Sequence, residues 1–99
     1  MQVISRKALM EFWKVHAEAE APLKSWYKAA SQGHFGNLAE LKQTFQSVDY
    51  VSARGKGLHV FNIGGNKYRL VAVIHFNAQK LFIRQVLTHA EYDRGDWKK

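Results

Sequence analysis

The spacing of apolar residues changes once along this chain, from a helical period to a period of two, and this change limits the folds available to it. In the first half, apolar and aromatic residues recur at i, i+3, i+4 and i+7, as along one face of a helix. Two sets follow this spacing: Leu9, Phe12, Trp13 and His16, then Leu23, Trp26, Tyr27 and Ala30. From Tyr50 the period becomes two, which is typical of strands. The order predicts an α+β fold, with N-terminal helices packed on one face of a small antiparallel β-sheet.

Residues with known positional preferences mark the expected helix ends. Ser5 is a candidate N-cap of the first helix, Pro22 suits the first turn of the second, and Gly33 suits its end. Asn37 followed by Glu40 resembles a capping box for a third, short helix. With a length of 99 residues, the chain is expected to form one domain covering residues 1–99.

Strands are expected at residues 3–4, 50–54, 58–63, 67–76 and 80–87, with a hairpin turn at Gly64-Gly65-Asn66. In the fourth strand, one face should pack beneath the helices: Tyr68, Leu70, Ala72, Ile74 and Phe76. The opposite face carries Lys67, Arg69, Val71, Val73 and His75. In the fifth strand, strict alternation places Arg84 between Phe82 and Val86 on one face, and Leu81, Ile83 and Leu87 on the other.

Charge is distributed unevenly along the chain. Fifteen Lys and Arg against eight Asp and Glu give a net charge of +7, yet no acidic residue lies between Asp49 and Glu91. Six cations lie there: Arg54, Lys56, Lys67, Arg69, Lys80 and Arg84. Because a basic surface attracts polyanions, nucleic acid is the leading expected partner and an acidic protein is the second.

Several classes of protein are disfavoured. The chain has no cysteine, and therefore no disulfide framework or thiolate zinc site. His59, His75 and His89 lack metal-ligand spacing and have no carboxylate among them, so we expect no metal and no other cofactor. Gly64-Gly65 precedes a strand rather than the helix of a P-loop. Neither a membrane helix nor a secretory signal is evident, which suits a cytoplasmic protein.

Arg69 is the cation that the pattern singles out. It lies within the most apolar predicted strand, where a charge must reach solvent, pair or face a site. Its charge serves either a bound phosphate or an ion pair with one of the distant acids, Asp49, Glu91 or Asp93. Arg84 poses the same alternatives. Lys56, between two glycines, is either solvated or in contact with a phosphate.

The segment after the last predicted strand brings together a histidine, a tyrosine and two acids, at residues 88–93 (THAEYD). His89 can exchange protons, as histidines in catalytic sites do, and Tyr92 can donate to a phosphate or stack on a base. The alternative is a capped terminal turn in which both side chains only pack. The spacing alone favours this second interpretation, because single residues seldom prove catalytic.

Two strings resemble a known family. Residues 61–70 (FNIGGNKYRL) and 83–93 (IRQVLTHAEYD) are similar to the HigB group of RelE-like toxins, and the resemblance covers nearly the whole chain. It implies a bacterial type II toxin that cleaves mRNA on translating ribosomes and so inhibits translation. It also implies an active site on the sheet face opposite the helices, and a HigA-type helix-turn-helix antitoxin as partner.

The resemblance also implies roles for individual residues. Arg69 matches the arginine of the YRL motif, which contacts the scissile phosphate in RelE-like toxins. Tyr92 is the nearest match to a C-terminal tyrosine that serves as a base or an orienting group, and His89 and Asp93 match site residues of other relatives.

The reaction implied by the resemblance is attack of an RNA 2′-hydroxyl on the adjacent phosphorus, without a metal. Arg69, helped by Lys67 or Arg84, would stabilise the charge that develops on the phosphate. Arg54 and Lys56 are loose counterparts of lysines in relatives and would hold the RNA backbone. Charge alone leaves two alternatives open: a non-catalytic RNA- or DNA-binding module, and a basic face that only docks an acidic protein.

Overall fold

Within residues 1–98, which a computed structural model describes, five strands and four α-helices form most of the chain. Their order is β1 Gln2–Ile4, α1 Arg6–Val15, α2 Glu20–Gln32, α3 Leu38–Thr44, β2 Asp49–Ala53, β3 Lys56–Ile63, β4 Tyr68–His75, β5 Lys80–Thr88 and α4 His89–Arg94. Single turns of 3-10 helix lie at Ala17–Ala19 and Asp96–Lys98. The predicted α+β fold is confirmed.

The strands form one sheet in the order β1-β5-β4-β3-β2. From β2 to β5 the neighbours are antiparallel, as expected for a meander, whereas β1 pairs with β5 in parallel. The central strand is β4, which is also the most apolar. In it Arg69 lies between Asn62 of β3 and Leu87 of β5, close to the end where the chain leaves the sheet for α4.

The main core lies between the helices and one face of the sheet. Leu9, Leu23 and Trp26 of the helices are buried there with sheet residues, among them Phe61, Leu70 and Leu81. A smaller cluster covers the opposite face and contains Leu58, Val60, Val71 and Trp97. The predicted alternation in β4 is therefore confirmed from Tyr68 onwards, because Tyr68 and Leu70 face the helices while Val71 faces away.

The predicted faces of β5 are correct only up to Ile83. Val71 pairs with Gln85 but Ala72 pairs with Ile83, so Arg84 is the extra residue of a β-bulge. A bulge shifts the alternation by one residue. Beyond it Val86 therefore packs in the main core, and Leu87 lies in the smaller cluster on the opposite face. The prediction that Val86 shares a face with Arg84, and Leu87 with Ile83, is wrong for this reason.

The predicted helix ends are partly confirmed. The Asn37 side chain accepts a hydrogen bond from the Glu40 N–H at 2.9 Å, as a capping residue should, while the Glu40 carboxylate accepts from the Gly36 N–H. Ser5 occupies the N-cap position of α1, as predicted, although its side chain makes no capping hydrogen bond. The predicted turn at Gly64-Gly65 is present, and both glycines have positive φ, which their lack of a Cβ permits.

One buried histidine should make folding sensitive to mild acid. His59 is buried against the rings of Tyr50 and Phe76, and burial lowers its pKa below the usual value of 6.5. Its stabilising contribution is complete above pH 6.5, and it is lost as the pH falls through the lowered pKa, because the unfolded chain takes up the proton first. We expect His59→Phe, which keeps a ring at this position, to lose less stability than the wild type between pH 7 and pH 5.

Urea unfolding at several pH values measures this effect. Replacement of the exposed His34 by Gln serves as the control and should leave the pH dependence of the wild type intact. Identical pH profiles for His59→Phe and the wild type would show that His59 is not the group responsible.

Candidate active site

A short helix follows the last strand and carries three of the candidate residues. Residues 88–93 do not form a turn or an irregular tail: Thr88 is the N-cap of α4 and makes a complete capping box with Glu91. The Thr88 N–H donates to the Glu91 carboxylate at 2.9 Å, and the Glu91 N–H donates to the Thr88 hydroxyl at 3.2 Å. These hydrogen bonds to Thr88 lower the pKa of Glu91, so its carboxylate is charged at neutral pH. The Thr-x-x-Glu spacing in the sequence was a signal for this helix.

Arg69 is buried on the sheet face opposite the helices, with 8% of its surface exposed. Its guanidinium donates to the main-chain oxygens of Asn66 and Tyr68, at 3.2 and 3.1 Å, and to the side-chain oxygen of Asn66 at 3.0 Å. All three acceptors are neutral. Within residues 1–98, no carboxylate lies within ion-pair distance of Arg69. A pair with Asp49, Glu91 or Asp93, the structural alternative, is therefore absent from this part of the chain.

Tyr92 lies directly beside this arginine. The central carbon of the Arg69 guanidinium is 5.3 Å from the centre of the Tyr92 ring, within the range of a cation–π interaction. The Tyr92 ring also stacks on Trp97, with ring centres 4.9 Å apart and planes inclined by 14°. The structure thus brings Arg69 and Tyr92 together.

His89 and Asp93 are one turn apart on α4. Nδ1 of His89 lies 2.9 Å from the Asp93 carboxylate, and both side chains are about half exposed. With Nδ1 donating to Asp93, Nε2 is the nitrogen that faces away and can exchange a proton. The main-chain N–H of His89 donates to the Lys67 carbonyl at 3.0 Å, which ties the start of α4 to the chain entering β4. His89 and Tyr92 are three positions apart in α4 and therefore lie on neighbouring parts of its surface.

A group of cations lies farther along the same face of the sheet. A cavity of about 230 Å³ is lined by Ala53, Arg54, Lys56, Leu58, Arg84, Trp97 and Lys98. Arg54 lies in the turn between β2 and β3, Lys56 is the first residue of β3, and Arg84 comes from the β-bulge. Arg84 is three residues from Leu87, the partner of Arg69, which corresponds to roughly 10 Å along a strand. Arg84 therefore joins Arg54 and Lys56 rather than Arg69.

Lys67 has a different environment from Arg69. It lies in the turn before β4, not in the strand, and its ammonium nitrogen is 3.4 Å from the carboxylate of Glu18 in the helix layer. Both side chains are well exposed, so this ion pair contributes little to stability. The structure does not bring Lys67 to the guanidinium of Arg69.

Two residues of the site were not predicted from the sequence. Asn66 holds the Arg69 guanidinium through two of its oxygens, although its place in the FNIGGNKYRL string indicated only a turn. Trp97 belongs to the charged C-terminal segment of the sequence, yet it is buried on the face that carries Arg69. The local sequence DWKK gives no indication that the tryptophan is buried. In residues 1–98 no group of three or more His, Asp and Glu residues has the geometry of a metal site.

Comparisons with known proteins point to one family. The family model described as HigB_toxin, the RelE-like toxic component of a toxin-antitoxin system, matches residues 19–95. Curated proteins named mRNA interferase toxin HigB, from Escherichia coli K12, and mRNA interferase HigB, from Shigella flexneri, are each 37% identical to the chain over 93 residues, covering 94% of it and 88% of the relative. A more distant mRNA interferase HigB from Escherichia coli O6:H1 is 29% identical over 94 residues.

The fold and the matched region define this protein as a RelE-like toxic component of a toxin-antitoxin system. Within that class, the chain belongs to the HigB toxin family. The family resemblance expected from residues 61–70 and 83–93 is therefore confirmed. No helix of residues 1–98 is long and apolar enough to cross a membrane.

Proposed function

We propose that this protein is an mRNA interferase: an endoribonuclease that cleaves mRNA on translating ribosomes and thereby inhibits translation and growth. The observation that carries the proposal is Arg69, a buried guanidinium oriented by three neutral oxygens and unpaired with any carboxylate of residues 1–98. Because burial of a charge without a counter-charge is costly, such a group is suited to a bound anion. A phosphate of the RNA backbone supplies that anion and accepts hydrogen bonds from the guanidinium.

The proposed reaction uses the substrate's own nucleophile. The 2′-hydroxyl attacks the adjacent phosphorus, the bond from phosphorus to the 5′-oxygen breaks, and the products are a 2′,3′-cyclic phosphate and a 5′-hydroxyl. Arg69 stabilises the negative charge that builds up on the phosphate oxygens. No metal or cofactor takes part in this scheme, because alignment, charge stabilisation and proton transfer come from side chains.

Two groups of α4 are suited to move the protons. His89, with Nδ1 held by Asp93, presents Nε2, and Tyr92 presents a hydroxyl from a ring packed against Arg69. One of them takes the proton from the 2′-hydroxyl, and the other gives a proton to the departing 5′-oxygen. Asp93 has an orienting role in this scheme, since its carboxylate fixes the histidine ring.

The cationic cavity extends the site along the RNA. The cavity is lined by Arg54, Lys56 and Arg84. From the rise per residue of a strand, these three residues lie roughly 10 Å or more from Arg69 along the sheet. They are placed to hold backbone phosphates next to the one that is cleaved. The outer surface around them would also contact ribosomal RNA.

The family description supplies the second partner. A toxic component of a toxin-antitoxin system requires an antitoxin, and we propose a HigA-type helix-turn-helix protein. A reading frame for such a protein next to this one would support the assignment. An activity on translated mRNA also implies that the protein works in the cytoplasm.

Cleavage should depend on the ribosome. We expect the purified chain to cut a reporter mRNA in programmed ribosomes and to leave the same mRNA intact when no ribosome is present. The site has few side chains that could align the RNA, so the ribosome must hold the RNA in line for attack. Primer extension on both samples measures the breaks. Salt-sensitive binding without breaks in either sample would favour a non-catalytic RNA-binding module instead.

A further inference from the structure

The aromatic ring of Tyr92 contacts two other side chains. Trp97 stacks on it nearly parallel, with ring centres 4.9 Å apart. The guanidinium of Arg69 lies over the same ring, 5.3 Å from its centre. The three side chains form a layer in which the Tyr92 ring contacts both others, and a displacement of Trp97 would be transmitted to Arg69 through that ring.

Trp97 is the fixed end of this layer. It is 8% exposed and lies in the cluster with Leu58, Val60 and Val71 on the surface of the sheet. Its indole N–H donates to the main-chain oxygen of Tyr92 at 2.9 Å. Gly95, with a φ of 77°, turns the chain after α4, so that the Trp97 ring returns to the sheet. Trp97 therefore holds both the ring and the main chain of Tyr92.

The hydrogen bonds of the Arg69 guanidinium come from one short stretch of the chain. Within residues 1–98 they all run to Asn66 and to the carbonyl of Tyr68, at the start of β4. The Tyr92 ring, by contrast, contacts the guanidinium from α4. The position of Tyr92 therefore bears on where the guanidinium stands above the sheet.

We propose that Trp97 is a positioning residue of the active site: it holds Tyr92 against Arg69 so that both stand at the correct height for the scissile phosphate. This inference rests on the proposed function, and it adds a role for the C-terminal turn at Asp96–Lys98. Trp97 does not touch the reacting atoms in this scheme. Its effect reaches the chemistry only through Tyr92, and this dependence can be tested.

The test is a double-mutant cycle on mRNA cleavage in programmed ribosomes. We expect Trp97→Ala to lower the maximal single-turnover rate about 10- to 100-fold, as small misplacements of catalytic groups do, with the half-saturating concentration changed less than about twofold. In a Tyr92→Ala background, Trp97→Ala should cost less than about twofold more, because the residue through which it acts is already gone. Losses that multiply in the double variant would overturn the proposal.

Two further variants separate positioning from stability. Trp97→Phe keeps a stacking ring and should retain activity within about fivefold of the wild type, since aromatic stacking tolerates this exchange. Trp13→Phe, which alters a half-buried tryptophan beside Lys24 in the helix layer, should leave the rate unchanged. A Trp97→Phe variant as impaired as Trp97→Ala, with an unaltered unfolding transition, would contradict the role of the stack.

An NMR measurement on Arg69 tests the positioning role of Trp97 separately from the proposed cleavage of mRNA. The Tyr92 ring current should shift the NMR signals of the Arg69 side chain in the wild type and in Trp13→Phe. In folded Trp97→Ala this shift should be lost. The shift could be lost as expected while neither the wild type nor any variant cleaves mRNA. In that case the proposed function is wrong, but Trp97 still positions Tyr92 against Arg69. An unchanged Arg69 signal in Trp97→Ala overturns the positioning role itself.

Discussion

Replacement of Arg69 by alanine should lower the rate of mRNA cleavage about 100- to 1000-fold, the usual cost of removing one preorganised contact to developing negative charge. The reason is specific to this position. Arg69 is a buried cation on the face of the sheet that carries the site, and within residues 1–98 its hydrogen-bond acceptors are all neutral. Its charge is therefore available to a phosphate. Single-turnover cleavage in programmed ribosomes measures the loss, and growth after induction should recover in parallel.

Two further substitutions make this result interpretable. Arg69→Lys keeps the charge but not the planar fork, which here reaches two oxygens of Asn66 and one of Tyr68, so we expect it to remain at least about 10-fold impaired. Arg6→Ala removes an arginine that also lies over a tyrosine ring, at 4.7 Å from Tyr27, but in the helix layer, and should leave cleavage unchanged. A folded Arg69→Ala variant that remains as toxic as the wild type would remove Arg69 from the site.

A single 2′-deoxynucleotide at the cleavage position should abolish cleavage at that position. The proposed site supplies charge stabilisation through Arg69 and proton transfer through His89 or Tyr92, but the nucleophile is the 2′-hydroxyl of the RNA itself. Without it, nothing in this scheme attacks the phosphorus. A reporter mRNA with one substituted residue, compared with the all-ribose mRNA on the same ribosomes, provides the measurement.

The position of the deoxy substitution provides the control. The same change one nucleotide away from the cleavage position removes a hydroxyl that does not react, and cleavage should then continue at a rate close to that of the unmodified mRNA. Cutting that persists at the substituted position would mean that water or a protein group is the nucleophile, and the roles proposed for His89 and Tyr92 would have to be abandoned.

The sequence predicted the fold well because its local signals and its long-range pattern agree. The period-two alternation of β4 places Tyr68 and Leu70 beneath the helices and Arg69 on the opposite face, as the structure confirms. The alternation failed at Arg84, where a β-bulge shifts the faces of β5. Such a bulge depends on how two strands fit side by side, and a single strand's pattern does not contain that information.

The part of the candidate site that lies on one element was the most directly predictable from the sequence. His89 and Asp93 lie one turn apart on α4, and the capping residues Thr88 and Glu91 that begin this helix are visible in the sequence. Trp97 was missed because its position depends on a glycine turn and on packing against Leu58, Val60 and Val71 of the sheet, which are properties of the folded chain. Lys67 was assigned to the site by alternation, whereas the turn directs it to Glu18.

The chemical nature of the new RNA ends tests the central proposal most directly. A reporter mRNA is cleaved by the wild-type chain in programmed ribosomes, and the upstream fragment is analysed by mass spectrometry. Attack by the 2′-hydroxyl predicts a 2′,3′-cyclic phosphate on that fragment and a 5′-hydroxyl on the downstream one. A 3′-hydroxyl with a 5′-phosphate on the downstream fragment would contradict the mechanism proposed for Arg69, His89 and Tyr92.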